Sequence, residues 1–151
     1  MNTSITFKET IYINQPPEVV WDFTQDYQRR TLWDKSIIEA TLIQKGPHRI
    51  VAIKAKGMSR MNFQYKLDDR PNGTSLAMTD VDSFFIKGGG GSWQYVPSDH
   101  GTNWIRTDTL VLKNIFWIKM IKPLITFQVK RNMKNSMRLA KYMMESKTYL
   151  K

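Results

Sequence analysis

Between residues 37 and 113 the sequence signals one reversal of direction after another. The stretches 37–45, 49–56, 59–68, 74–86, 92–97 and 103–113 read as strands, rich in alternating or β-branched residues. They are separated by Gly46-Pro47-His48, Gly57, Arg70-Pro71-Asn72-Gly73, Gly88 to Gly91 and Pro97-Ser98-Asp99-His100-Gly101, all of them turn chemistry. Short strands joined by short turns pair antiparallel, because a parallel crossover needs a dozen or more residues. Residues 5–13 (ITFKETIYI) alternate in the same way and place a further strand at the start.

Helical signals flank this meander. Asn14-Gln15-Pro16-Pro17-Glu18 stops the first strand and opens a short helix with Val19, Val20 and Phe23 on one stripe. A second short helical piece near Tyr27 to Lys35 carries Leu32 and Trp33. From residue 117 the period becomes helical: Ile125, Val129, Met133, Met137, Ala140 and Met144 recur every three or four residues, with Lys130, Lys134, Arg138 and Lys141 beside them. Pro123 marks either a kink or the true helix start. The expectation is an α+β fold: a curved antiparallel sheet of about seven strands around one long C-terminal helix, with two short helices after the first strand. A sheet that holds a helix from one side can leave a pocket between them.

The 151 residues make one domain, 1–151, with a folded surface of about 8,000 Å² against roughly 25,700 Å² for the extended chain. Hydrophobic residues at 41% rule out disorder as the main state. The lack of cysteine excludes disulfides, thiolate zinc sites and a cysteine nucleophile, and fits a reducing compartment. No basic start followed by an apolar run opens the chain, and the most lipid-like stretch, Ile115 to Val129, is interrupted by Lys119, Lys122 and Pro123. A cytoplasmic location is therefore expected.

Charge is unevenly placed. Residues 113–151 hold 10 of the 23 Lys and Arg but only Glu145 among the 13 acids. Such a bias suits either a solvated helix face or attraction to an anionic surface or acidic partner. At the strand–helix junction, Phe116, Trp117, Lys119 and Lys122 mix aromatics with lysines, as docking on an anionic membrane would require; simple packing of the helix start is the other reading. No nucleic-acid-binding motif accompanies the basic helix, so nucleic acid is the less favoured partner.

Several stretches together resemble the SRPBCC superfamily, the helix-grip group of START-type lipid carriers, pollen-allergen-like proteins and polyketide cyclase/dehydrase-like proteins. They are Ile11-Tyr12-Ile13-Asn14-Gln15-Pro16-Pro17-Glu18-Val19-Val20-Trp21, then Asp26 and Trp33, Gly91-Ser92-Trp93-Gln94-Tyr95-Val96-Pro97, Gly101-Thr102 and the terminal helix. The resemblance implies a hydrophobic cavity between sheet and helix. It does not imply one reaction, since fold alone does not decide among carriers, cyclases and hydrolases.

Candidate residues follow from alternation. Met61, Phe63, Tyr65 and Leu67 share a face, which either packs the core or lines a pocket. With Met78, Tyr95, Trp104, Met133 and Met137, the residues Met61, Phe63 and Tyr65 make the expected ligand-binding set. Asp80 and Asp82 share a face with Leu76, Met78 and Phe84; Arg106 and Asp108 share one with Trp104, Leu110 and Leu112. If these faces look inward, they supply acid–base groups to an apolar cavity; if the register flips at a bulge, they meet solvent. His48 and His100 lie in turns without ligand spacing, so neither metal nor cofactor is expected. The four glycines lack P-loop spacing and read as a hairpin tip or bulge. The lead reading is binding or transport of a small hydrophobic or amphipathic ligand. The alternatives are a cyclase/dehydrase-type enzyme using Asp80, Asp82 or Asp108 with Arg106, and a basic-helix interaction module.

Overall fold

The structure is a computed structural model and describes residues 4–147. Strand β1 (Ser4–Ile13) leads to helix α1 (Pro17–Thr24) and the single turn α2 (Arg30–Trp33). Six strands follow: β2 (Ile37–Gln44), β3 (Ile50–Ala55), β4 (Ser59–Asp69), β5 (Gly73–Asp82), β6 (Ile86–Ser98) and β7 (Gly101–Leu112). Helix α3 (Phe116–Ser146) closes the described chain. The seven strands form one antiparallel sheet in the order β1-β7-β6-β5-β4-β3-β2, so every pairing except β1 with β7 joins sequence neighbours. This is the helix-grip arrangement, with α3 laid against the sheet.

Two bulges decide which side chains face inward. Opposite Asn62 of β4, β5 carries two residues, Thr79 and Asp80, between the pairs Phe63↔Met78 and Met61↔Val81. One extra residue inverts the alternation. Leu76, Met78 and then Val81 therefore face the apolar interior, while Asp80 and Asp82 are exposed, Asp80 accepting a hydrogen bond from Asn62 Nδ2 at 3.2 Å. A second bulge, at Lys66, turns Leu67 outward, where it is 52% exposed. Of the two readings of Asp80 and Asp82, the register flip at a bulge is the one the structure takes; the expectation of an inward Leu67 is corrected on the same ground.

Of the two readings of the Gly88–Gly91 run, the hairpin tip is excluded, while a bulge does stand at its start, where the register with β7 shifts between Ile86 and Gly88. The turn falls at residues 83–85, and the glycines lie within β6, paired to β5 and β7. Close approach explains Gly89, Gly90 and Gly91: a Cβ would stand 2.3 Å from the Thr109 carbonyl oxygen, 2.6 Å from the Leu76 carbonyl oxygen and 2.4 Å from Asp108 Oδ1 respectively, whereas Gly88 has open space.

The core divides in two. One cluster gathers Phe7, Ile13, Val20, Phe23, Trp33, Trp93, Tyr95 and Trp104 against Ile118, Met133, Met137, Ala140 and Met144 of α3. The other packs Val51, Ile53, Met61, Tyr65 and Ile86, and Phe85 and Leu110 touch both. Helix α3 packs chiefly on β1 and makes no comparable contact with β3, β4 or β5. Its C-terminal half is tied down: Glu145 Oε2 accepts from the Asn14 N–H at 2.8 Å, Gln15 Nε2 donates to the Met144 carbonyl at 3.2 Å, and Lys141 Nζ donates to the Tyr12 carbonyl. Pro123 lies inside the helix, which begins a full turn and more before it. Among the described residues no helix is long and apolar enough to cross a membrane.

Candidate functional site

A half-enclosed cavity of about 170 Å³ lies between the two core clusters and is lined by residues of both. Its apolar wall comes from Phe7 of β1, Ile53 of β3, Met61 and Phe63 of β4, Leu76 and Met78 of β5, and Val129 of α3. The register makes this wall continuous. Phe63 pairs with Met78, and Leu76 pairs with Gly91, which pairs with Asp108, which pairs with Phe7. Gly91 presents no side chain in that row, and the space it leaves holds the Asp108 carboxylate.

The cavity's polar end is built from two arginines and two aspartates around Trp93. On α2, Arg30 Nε donates to Asp34 Oδ2 at 2.8 Å, an i,i+4 pair that brackets the fully buried Trp33. Ser36 completes the carboxylate through its Oγ at 2.7 Å. Burial alone would raise the Asp34 carboxyl, but the charges of Arg30 and Arg106 and the hydrogen bonds from Ser36 and Arg30 hold it below the ordinary carboxylate value. On β7, Arg106 Nη2 donates to Asp108 Oδ2 at 2.8 Å, and Trp93 Nε1 donates to Asp108 Oδ1 at 3.3 Å. Both guanidinium carbons lie over the Trp93 ring, Arg30 at 4.7 Å and Arg106 at 4.4 Å from its centroid.

Arg106 is the unusual member. It is only 8% exposed, yet among the described residues its Nε and Nη1 have no hydrogen-bond acceptor. A guanidinium carries five N–H donors and no acceptor, and a buried donor without a partner costs about 1–3 kcal/mol. The indole N–H groups of the neighbouring Trp33 and Trp104 also lack acceptors. Both indoles lie in the packed core, so of these donors only those of Arg106 belong to a residue that lines the cavity.

Tyr27 forms another part of the wall. Its hydroxyl bonds that of Tyr65, which donates to Gln25 Oε1 at 2.7 Å; Arg49 Nη2 donates to the same oxygen at 2.9 Å. Gln25 Nε2 continues the chain to the Tyr95 hydroxyl at 2.9 Å, and burial pushes that phenol up to about 12. Beside this network, one open groove is lined by the ion pairs Arg49–Asp68 and Arg70–Asp22, whose charges answer each other, and a second runs past Tyr27, Gln28, Thr41 and Lys45.

The structure thus brings Met61, Phe63, Met78, Arg106 and Asp108 together at the cavity. It places Tyr65 in the hydroxyl network behind the wall, Tyr95 and Trp104 in a stacked pair 6.5 Å apart, and Met133 and Met137 under α3 in the packed core. Arg30 and Asp34 were missed by sequence reasoning, which saw only the apolar Leu32 and Trp33 of their segment. The available signal was an Arg and an Asp four apart on either side of a tryptophan. Among the described residues no group of three or more metal-ligating side chains forms.

The family model for "polyketide cyclase / dehydrase and lipid transport" matches residues 4–142. The chain belongs to this family. No curated protein matches the sequence significantly. Solved structures of similar fold include TTHA0849 from Thermus thermophilus (17% identity over 95% of this chain and 99% of that one, TM-score 0.82). A Zhui aromatase/cyclase from Streptomyces sp. R1128 superposes at 13% identity over 94% of each chain, TM-score 0.81. A START superfamily protein from Mycobacterium smegmatis does so at 10% identity over 95% and 99%, TM-score 0.75. At these identities the likeness shows the helix-grip fold of the START/SRPBCC superfamily. As a polyketide cyclase/dehydrase and lipid transport family member, the chain fits either a ligand-binding or a cyclase/dehydrase-type protein.

Proposed function

We propose that the chain binds and carries a small amphipathic ligand, with its apolar body against Met61, Phe63 and Met78 and an oxygen directed at Arg106. The supporting observation is the buried guanidinium with donors unused at the polar end of an otherwise apolar cavity. Ligand sites commonly join a mostly apolar lining to a few convergent polar groups. The volume of about 170 Å³ lies below the roughly 300–1,000 Å³ of drug-sized pockets, so it suits a ligand of one or two rings. A larger ligand requires the methionines to move, which their three rotatable bonds allow. Such ligands partition into bilayers, so the partner expected for loading is an anionic membrane surface.

A second reading rests on Asp108. Its carboxylate stands at the cavity beside a guanidinium able to polarise a carbonyl, which is the pairing a cyclase/dehydrase-type step requires. Native mass spectrometry of freshly purified protein separates the readings. The carrier reading expects a copurified small molecule whose occupancy survives Asp108→Asn. A bound species converted by the wild type but retained unchanged by Asp108→Asn supports the enzyme. Protein that emerges empty and takes up neither aromatic carboxylates nor fatty acids contradicts both.

A further inference from the structure

Helix α3 has two apolar faces where an ordinary surface helix has one. The inward face carries Ile118, Ile125 and Val129 and continues into the buried Met133, Met137, Ala140 and Met144. The outward face carries Phe116, Met120, Leu124 and Phe127, at spacings of four, four and three, all at least 60% exposed. Trp117 at 49% and Ile121 at 36% widen it. This second stripe spans about 17 Å at 1.5 Å per residue and stops abruptly. Beyond Phe127 the same side of the helix turns polar with Arg131, Asn135 and Arg138, all exposed. Phe84, 64% exposed, lies in the β5–β6 turn, whose Phe85 carbonyl accepts from the Lys113 N–H at 2.9 Å just before the helix. An apolar stripe this long, left open to water, is uncommon on a soluble surface and marks an interaction site.

Charge identifies the occupant. Lys119 and Lys130 border the stripe on one side and Arg131 sits at its C-terminal end; among the described residues none has an ion-pair partner. Helix α3 carries no acid before Glu145. By contrast, Lys134 pairs with Glu9 at 3.7 Å and Lys141 with Glu145 at 2.9 Å, so two of the cations in the C-terminal half are engaged. Unengaged cations thus coincide with exposed aromatics and leucine within residues 116–131. A protein partner's acidic groove would answer the cations but not bulky side chains splayed across more than a quarter of the helix circumference. We propose that the outward face of residues 116–131 docks on an anionic lipid bilayer, with Phe116, Met120, Leu124 and Phe127 entering the acyl boundary and Lys119, Lys130 and Arg131 at the headgroups. This gives the membrane partner named under the carrier reading a surface on the chain and rests on that reading for its purpose, while the docking itself does not require an occupied cavity.

Trp117 supplies the measurement. The other four tryptophans are at most 6% exposed, so Trp117 is the one that water-borne or lipid-borne quenchers reach. Vesicles of phosphatidylcholine with phosphatidylserine should shift its emission to the blue, and spin-labelled lipid should quench it; pure phosphatidylcholine should do far less. Lys119→Gln with Lys130→Gln should weaken binding about thirtyfold at low salt. Leu124→Ser with Phe127→Ser should weaken it at least about tenfold. All four side chains are exposed or bordering solvent, and an unchanged near-ultraviolet spectrum checks the fold. Arg106→Met should leave vesicle binding intact, which separates docking from cavity occupancy. No binding at low salt, or equal binding to neutral vesicles, overturns the proposal. So does sedimentation equilibrium showing a dimer that Leu124→Ser with Phe127→Ser dissolves, since the face would then belong to a second copy.

Discussion

Asp34→Ala is expected to cost about 3–5 kcal/mol of stability, the penalty for leaving a buried charge unpaired. Asp34 is 3% exposed and holds Arg30, itself 8% exposed, through a single 2.8 Å contact. Removing the carboxylate leaves the Arg30 guanidinium over Trp33 and Trp93 with Arg106 as its charged neighbour. The chain's stability as a whole is of order 5–15 kcal/mol, so the variant stands near the edge of folding. Urea titration measures the effect; a loss under about 1 kcal/mol contradicts the assignment. Because the folded carboxyl titrates below its unfolded value, its contribution is complete above about pH 4 and is lost as pH falls through the folded value. Asp34→Asn, which keeps the volume, should therefore remove part of the acid-induced loss of stability seen in the wild type.

Arg106→Met should act in the opposite sense on stability and against it on binding. The wild-type guanidinium buries Nε and Nη1 without acceptors, so an apolar chain of similar length removes an unmet desolvation penalty. It also removes the bond to Asp108, but that carboxylate is 29% exposed and can turn to water. Unliganded Arg106→Met is thus expected to be no less stable than wild type within about 1 kcal/mol. Affinity for an aromatic carboxylate should fall by about ten- to a hundredfold, as loss of a hydrogen bond to a charged group of roughly 1.5–3 kcal/mol implies. Calorimetry and urea titration on the same preparations decide it. A variant strongly destabilised yet unchanged in binding makes Arg106 a structural residue. Strain tolerated in the empty protein and relieved by a ligand is the mark of a site kept for function.

Most of the element order was legible because each segment obeys one period: strands at two, α3 at 3.6. What the periods leave open is parity. A single added residue at Thr79-Asp80 sends Asp80 and Asp82 outward, while Val81 replaces them against the interior, and nothing in the local composition announces that insertion. Lys66 does the same to Leu67. The glycines at 88–91 misled for a related reason. Turn chemistry and close strand approach call for the same residue, and only the partners, the Leu76 carbonyl and the Asp108 carboxylate, distinguish them. Among candidate site residues, Met61, Phe63, Met78, Arg106 and Asp108 follow from alternation in unbulged stretches near the cavity. Tyr65, Tyr95, Trp104, Met133 and Met137 share those faces, but lie where the packing is closed. Arg30 and Asp34 could not be found by periodicity, because α2 is a single turn whose inward side is charged.

The methionines allow the central claim to be tested in one measurement. With methyl-labelled methionine, a titration with 2-naphthoate followed by NMR reports on the cavity through Met61 and Met78 and on the closed core through Met133, Met137 and Met144. The account predicts saturable shifts at Met61 and Met78 with the three core methyls unmoved. Shifts at the core methyls, or no shift at Met61 and Met78 while the exposed Met120 responds, would contradict it.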